Sequence, residues 1–409
     1  MAAIRPFAAL RYHPTVAGEL SRLIAPPYDV IDPEEQEQLY GASDHNIIRL
    51  ILGKQSPADS PSDNRYTRAK RDFAAWRTRG ILRQDASPAY YLIEHAFQDD
   101  GATRRRLGFI ALLQLDEATR GSVYRHEATL AAPREDRTKL LEAVPANLEP
   151  IFCVYPDAGA AVQALLEGVA RRSAPTVTAE LHGESIRLWA ITDGSIIQDV
   201  TRRLEPLAVL IADGHHRFEV AFANRNRYGA VMSYFASMED PALRVRPIHR
   251  LIQGPAIKKK ALEGNCLVEP AENLSALTAW LSQAEGHGRF GLYDGSALYR
   301  VTVKPERMAG WLMAPSVPLP VATLDVSLLH GLLLPALGVN GSVRYVADAS
   351  QALDAVRRGE GGCAWLLRGI PLAQVYALAS QGMTLAPKST YFYPKVPSGL
   401  VINPHPVLP

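Results

Sequence analysis

The residues best suited to chemistry lie in one run, Asp213-Gly-His-His-Arg217, which follows the apolar stretch Leu207-Ala-Val-Leu-Ile-Ala212. Residues 209–211 read as a buried strand bounded by Pro206 and Gly214. Beyond the glycine, Phe218, Ala221 and Phe222 fall at the i, i+3, i+4 spacing of an amphipathic helix. Asp213-Gly214 is then a strand-to-helix corner, where a residue without Cβ lets the chain turn sharply and come close to a ligand. His215, His216 and Arg217 fall in the first helical turn, where backbone N–H groups lack intrahelical partners and the dipole is positive. That arrangement, with a guanidinium added, suits a phosphate. The same residues also read as an ordinary helix start, with Asp213 as a cap and the basic side chains solvated. Two adjacent histidines do not suit one metal ion, because helical neighbours point about 100° apart and a shared ion wants i, i+4.

Three further stretches carry reactive types. In Leu23-Ile-Ala-Pro-Pro-Tyr-Asp-Val-Ile31, Pro26 and Pro27 fix two φ angles, so Tyr28 and the Asp29 carboxylate sit on a stiff bend. A bend between two strands is the plainer use of the same residues. His126-Glu127 supplies an imidazole and a carboxylate, both suited to general acid–base work. The tail Ala386-Pro-Lys-Ser-Thr-Tyr-Phe-Tyr-Pro-Lys395 sets Lys388, Ser389, Thr390 and Lys395 among aromatics, a density of donors suited to an anion. A C-terminal arm docked by Tyr391, Phe392 and Tyr393 would account for it equally.

The elements that position these residues are mixed. Residues 62–78 form a helix whose Tyr66, Ala69, Phe73 and Trp76 step by three or four, ending before Gly80. Residues 89–97 and 104–115 are β-rich runs joined by Asp99-Asp-Gly101, a hairpin signal. Pro133 opens a helix whose acidic residues suit the dipole. Strands at 150–155, 186–191, 231–238 and 246–252, a helix at 158–172, and a hairpin at 288–303 around Asp294-Gly295 follow. Residues 343–346, a helix through Ala352 and Val356, and residues 364–367 read as a βαβ unit with a parallel pair. The fold class is α+β, with mixed sheets, hairpins and helices.

Composition narrows the function classes. The 409 residues carry 44 Lys and Arg against 42 Asp and Glu, a formal net charge of +2. That balance gives no global field for nucleic acid or an anionic membrane, so any phosphate site must be local. Cys153, Cys266 and Cys363 are isolated and odd in number, which argues against a disulfide framework and for a reducing compartment. No stretch reads as a signal peptide or a membrane span. The expectation is a cytoplasmic, bacterial-type protein.

Read together, Ala25-Pro-Pro-Tyr-Asp-Val30, His126-Glu127 with Glu135-Asp-Arg137, Ala212-Asp-Gly-His-His-Arg217, His249-Arg250 and Pro387-Lys-Ser-Thr-Tyr-Phe-Tyr-Pro394 resemble domain-of-unknown-function family 1015. The resemblance runs from Arg5 to about Asn403. The central motif is also similar to the Gly-Gly-Cys-His-Arg signature of sulfiredoxins, the Gly-Glu-Arg-Arg box of ParB proteins and the motif of archaeal ADP-dependent free-serine kinases. His215 stands where sulfiredoxins carry cysteine, so their thiol chemistry is not expected.

The resemblance implies a ParB/sulfiredoxin-like nucleotide-binding core with added α/β elements. It implies phosphate contacts at the backbone of Gly214 and His215 and the side chains of His216 and Arg217; beside them the residues themselves suggest Asp213 as part of the site and Lys388, Ser389 and Thr390 closing over it. The function it implies is a nucleotide-dependent phosphotransferase acting on a small hydroxy-amino acid such as serine. ADP or ATP would be the nucleotide, and Mg²⁺ would bind at Asp213. Asp29 or Glu127 would accept the hydroxyl proton, with His126 and His216 also catalytic. Run in the hydrolytic direction the same residues would make a phosphatase; without turnover they would make a nucleotide-binding regulatory protein. Expected domains are a catalytic region at 1–255, an accessory α/β region at 256–380 and an arm at 381–409 that returns to the site.

Overall fold

The computed structural model describes residues 2–99, 101–257, 259–283, 285–339 and 342–406. The chain forms two compact units: residues 1–124, 129–243 and 394–409 make the first, and residues 125–128 and 244–393 make the second. Both are mixed α and β, as the sequence patterns imply.

The first unit is built on a nine-stranded mixed sheet. Its central strands, Ala102–Gln114, Ile151–Tyr155 and Ala230–Ser237, are long apolar runs buried along most of their length, the pattern of strands covered on both faces. Tyr90–Asp99 and Ala102–Gln114 pair antiparallel across Gly101, as the Asp-Asp-Gly signal predicts. The strand Val209–Asp213 lies antiparallel to Ile151–Tyr155 and parallel to Val123–Tyr124. One core joins Phe109, Cys153, Val209, Ile211 and Phe235 to Phe218 and Ala221 of the helix that follows the corner. A second core gathers the N-terminal helices with Leu140, Val144 and Leu148. The helix His215–Ala223 is therefore anchored by the side opposite its solvent face.

The second unit carries a six-stranded sheet ordered Cys266–Ala271, Leu298–Val303, Arg289–Tyr293, Cys363–Leu366, His249–Ile252, Val343–Val346. Here two expectations are corrected. Residues 246–252 are not one strand: Pro247 cannot donate to a ladder, so Arg244–Arg246 pairs with Tyr391–Tyr393 while His249–Ile252 enters the larger sheet. The strands Val343–Val346 and Cys363–Leu366 run parallel but are not neighbours, because His249–Ile252 lies between them, antiparallel to both. All three cysteines are free and buried. Among the described residues no helix is long and apolar enough to cross a membrane.

Candidate functional site

The corner forms where the sequence places it. The strand ends at Asp213 and the helix begins at His215, with Gly214 between them at φ 92°. That left-handed conformation favours glycine. A Cβ on Gly214 would also sit 3.1 Å from the Arg217 guanidinium, which folds back over the turn. A register shift between Ile211 and Asp213 re-aims the end of the strand. Glycine at the N-cap brings no side-chain acceptor, so nothing from the cap covers the first-turn amides.

The Asp213 carboxylate is the hub of the corner. Arg217 Nη2 donates to its Oδ2 at 2.6 Å, and Lys395 Nζ pairs with its Oδ1. Burial alone would push this carboxyl up; Lys395 and Arg217 reverse that and hold it well below the usual carboxylate range. Arg217 Nη1 also donates to the Pro150 carbonyl. Its pKa, which burial would lower, is raised on balance by the nearby Glu149, Asp213 and Asp29. One carboxylate thus faces two cations in contact with it. His216 Nε2 accepts the Leu130 amide at 2.9 Å, which leaves the ring neutral with its proton on Nδ1.

The Pro-Pro bend belongs to the same unit and is held by long-range contacts. Pro27 caps a short turn, Tyr28–Val30, that carries Asp29 exposed. The Tyr28 amide donates to Glu149 Oε1 at 3.0 Å, and Ser398 Oγ donates to the same oxygen at 3.2 Å. The Arg137 guanidinium stacks 3.8 Å over the Tyr28 ring while its Nη1 donates to Glu149 Oε2 and the Ile51 carbonyl. Burial pushes the Tyr28 phenol far above its ordinary value. A cavity of about 60 Å³ lies beside Arg217 and Glu149, room for about two waters. A larger ligand would have to sit on the open side of the corner.

The expected site residues therefore divide. Asp29, Asp213, Gly214, His215, His216 and Arg217 belong to the first unit; His126, Glu127, Lys388, Ser389 and Thr390 belong to the second. In the second unit, His126 Nε2 lies 2.8 Å from Thr390 Oγ1, and Glu127 Oε1 accepts the Lys388 amide at 3.2 Å. Lys388 has φ 58°, and Arg250 Nη2 donates to its carbonyl at 3.0 Å. Ser389 Oγ donates to the Ala386 carbonyl. Of the tail's donors it is Lys395 that reaches Asp213. Glu149 and Ser398 are site residues that sequence reasoning does not name; it names Lys395 only as one of the tail's anion donors and Arg137 only within the Glu135-Asp-Arg137 motif.

The expected Mg²⁺ contact at Asp213 does not fit this donor set. Each of its oxygens already carries a cation, and among the described residues no three His, Cys, Asp or Glu are grouped to hold a metal ion.

A strand, a glycine corner and a helix amino end define an α+β protein with one cation-rich turn. The chain belongs to the family described as "Protein of unknown function (DUF1015)", which matches residues 4–327. No curated protein matches it. Among solved structures it is similar to a conserved hypothetical protein from Pyrococcus furiosus, at 15% identity and TM-score 0.37, covering 72% of this chain and 95% of that one. It is similar to a free serine kinase in complex with AMP, at 14% identity and TM-score 0.36, covering 69% and 86%. It is also similar to SbnI with a C-terminal truncation from Staphylococcus aureus, at 10% identity and TM-score 0.38, covering 72% and 87%.

Proposed function

We propose that the Gly214 corner binds nucleotide phosphate and that the chain is a nucleotide-dependent phosphotransferase acting on a small hydroxy-amino acid such as serine. One observation supports this above the others. The amino end of the helix His215–Ala223 opens at a left-handed glycine, beside a carboxylate that two cations outnumber. An anion there meets the helix dipole together with the Arg217 and Lys395 cations. Phosphoryl transfer asks mainly for positioning and neutralised charge. In this reading the first-turn backbone and His216 hold phosphate. Lys395 and Asp213 fix Arg217 over the turn, with the remaining guanidinium hydrogens turned to the ligand. Asp29, exposed and within electrostatic reach of Arg217, accepts the hydroxyl proton. Magnesium, where required, enters with ADP or ATP and is held by the nucleotide's own phosphates.

The test is direct. Purified full-length protein with L-serine and ADP or ATP is followed by ³¹P NMR for phosphoserine, and nucleotide binding is followed by calorimetry. Phosphoserine forming in wild type and not in Asp29→Asn supports the assignment. Nucleotide binding without turnover across a panel of hydroxy acids points to the regulatory alternative. Hydrolysis of added phosphoserine without nucleotide points to the phosphatase. Binding of neither ADP nor ATP overturns the site.

A further inference from the structure

The phosphate corner makes no use of a cavity inside the second unit that encloses about 640 Å³, a volume typical of small-molecule sites. Leu281, Leu324, Val326, Leu367 and Ile370 give it an aliphatic lining. Polar side chains share the wall, among them His249, His287, Gln374 and the Asp325–Arg368 pair. His249 is only 5% exposed and accepts the Leu367 amide at Nδ1, 3.2 Å away. That bond leaves the ring proton on Nε2. Nε2 has no hydrogen-bond partner among the described residues, and the ring lines the cavity. Burial holds the His249 pKa down at about 4, so the ring stays a neutral donor at neutral pH.

A second donor set stands at the same wall. The helix Leu372–Ser380 starts behind Pro371, which lines the cavity and offers no side-chain cap to the first turn. Charge, by contrast, is balanced within the wall. Arg368 Nε donates to Asp325 Oδ2 at 2.5 Å, and Asp325 Oδ1 accepts the Gly288 amide at 2.7 Å. Donors without a surplus cation match one delocalised negative charge better than a phosphate dianion. The aliphatic lining asks for a hydrocarbon body.

We propose that this cavity binds a small carboxylic acid with an apolar body. Its carboxylate lies at His249 Nε2 and the amino end of the helix Leu372–Ser380, and its hydrocarbon lies against Leu281, Leu324 and Ile370. Ser389, one of the tail residues singled out by sequence, is part of this wall. The site is independent of the nucleotide reading of the first unit.

The experiment uses calorimetry on the full chain with 3-phenylpropanoate, its neutral isostere 3-phenylpropanamide, and inorganic phosphate as probes. The carboxylate is expected to bind about tenfold more tightly than the amide, the effect of one charge-assisted hydrogen bond, and any binding of phosphate is expected to be unchanged in Ser282→Trp, because it belongs to the Gly214 corner. His249→Asn keeps an acceptor for the Leu367 amide but removes the Nε2 donor, and should weaken the carboxylate by about the same factor. Ser282→Trp, from an exposed position on the cavity wall, should fill the space and abolish binding with the melting temperature unchanged. Equal affinity for carboxylate and amide overturns the proposal. So does unaltered binding by Ser282→Trp, or no binding of the carboxylate at millimolar concentration. Should His249→Asn fail to fold, the Ser282→Trp result decides alone.

Discussion

Replacing Asp213 with asparagine is expected to destabilise the first unit by about 3–5 kcal/mol, the usual cost of breaking a buried ion pair by removing one partner. The size follows from the surroundings. The side chains of Asp213, Arg217 and Lys395 are only 12%, 10% and 13% exposed. Asparagine would leave two buried cations facing each other with no anion between them. Lys395→Met is milder, since Asp213 keeps Arg217 at 2.6 Å. The double variant Asp213→Asn/Lys395→Met should be more stable than the sum of its parts, because it removes one of the stranded charges.

Calorimetric unfolding checks this, with a melting shift on the order of 10 °C expected for a unit of this size. The pH dependence carries an independent sign. Asp213 is held below the usual carboxylate range, so its contribution is fully present above the unfolded value of about 3.9 and fades as pH falls toward the folded one. The gap between wild type and Asp213→Asn should therefore close in strong acid. An Asp213→Asn protein within about 0.5 kcal/mol of wild type at neutral pH, the range of an ordinary surface change, would refute the ion-pair hub.

Other outcomes follow from the same geometry. Gly214→Ala must place a side chain at φ 92° and 3.1 Å from Arg217; it should cost about 1–3 kcal/mol and abolish ADP binding in calorimetry. Arg137→Lys keeps the charge but loses the stack on Tyr28 and the planar fork at Glu149, so hydrogen exchange at residues 28–31 should quicken while the sheet stays protected. His249 should make the second unit acid-sensitive. Its folded pKa of about 4 lies below the unfolded value near 6.5, so the unfolded state takes up protons first and stability falls as pH drops through that window, by roughly 3 kcal/mol in all. Urea titrations at pH 7 and pH 4 should show the loss, and His249→Asn should lack the His249 part of it, while His330, which burial also holds at about 4, keeps its own.

The corner was legible in the sequence because everything that makes it is local. An apolar run, a glycine and a helical stripe lie within fifteen residues, and periodicity plus backbone sterics are enough to place the turn. The hairpin at Gly101 was legible for the same reason. What surrounds the corner was not, since Glu149, Arg137, Ser398 and Lys395 reach it across the chain. Glu149 sits between Leu148 and Pro150 with no spacing that announces a buried carboxylate. Its role exists only once the Tyr28 amide, Arg137 and Ser398 have been brought to it. Lys388 and Lys395 are seven positions apart in a tail that looks uniformly basic and aromatic. Only Lys395 belongs with Asp213, whereas Lys388 is tied by its backbone to Glu127 and Arg250 in the other unit. Residue type could nominate the tail as an anion-binding segment, but not choose between its lysines. The second unit shows the same limit in its sheet, where a βαβ pattern was visible and the strand inserted between its halves was not. Pairing across ninety residues, from His249–Ile252 to Val343–Val346, is set by which apolar faces remain to be covered, and no local signal encodes it.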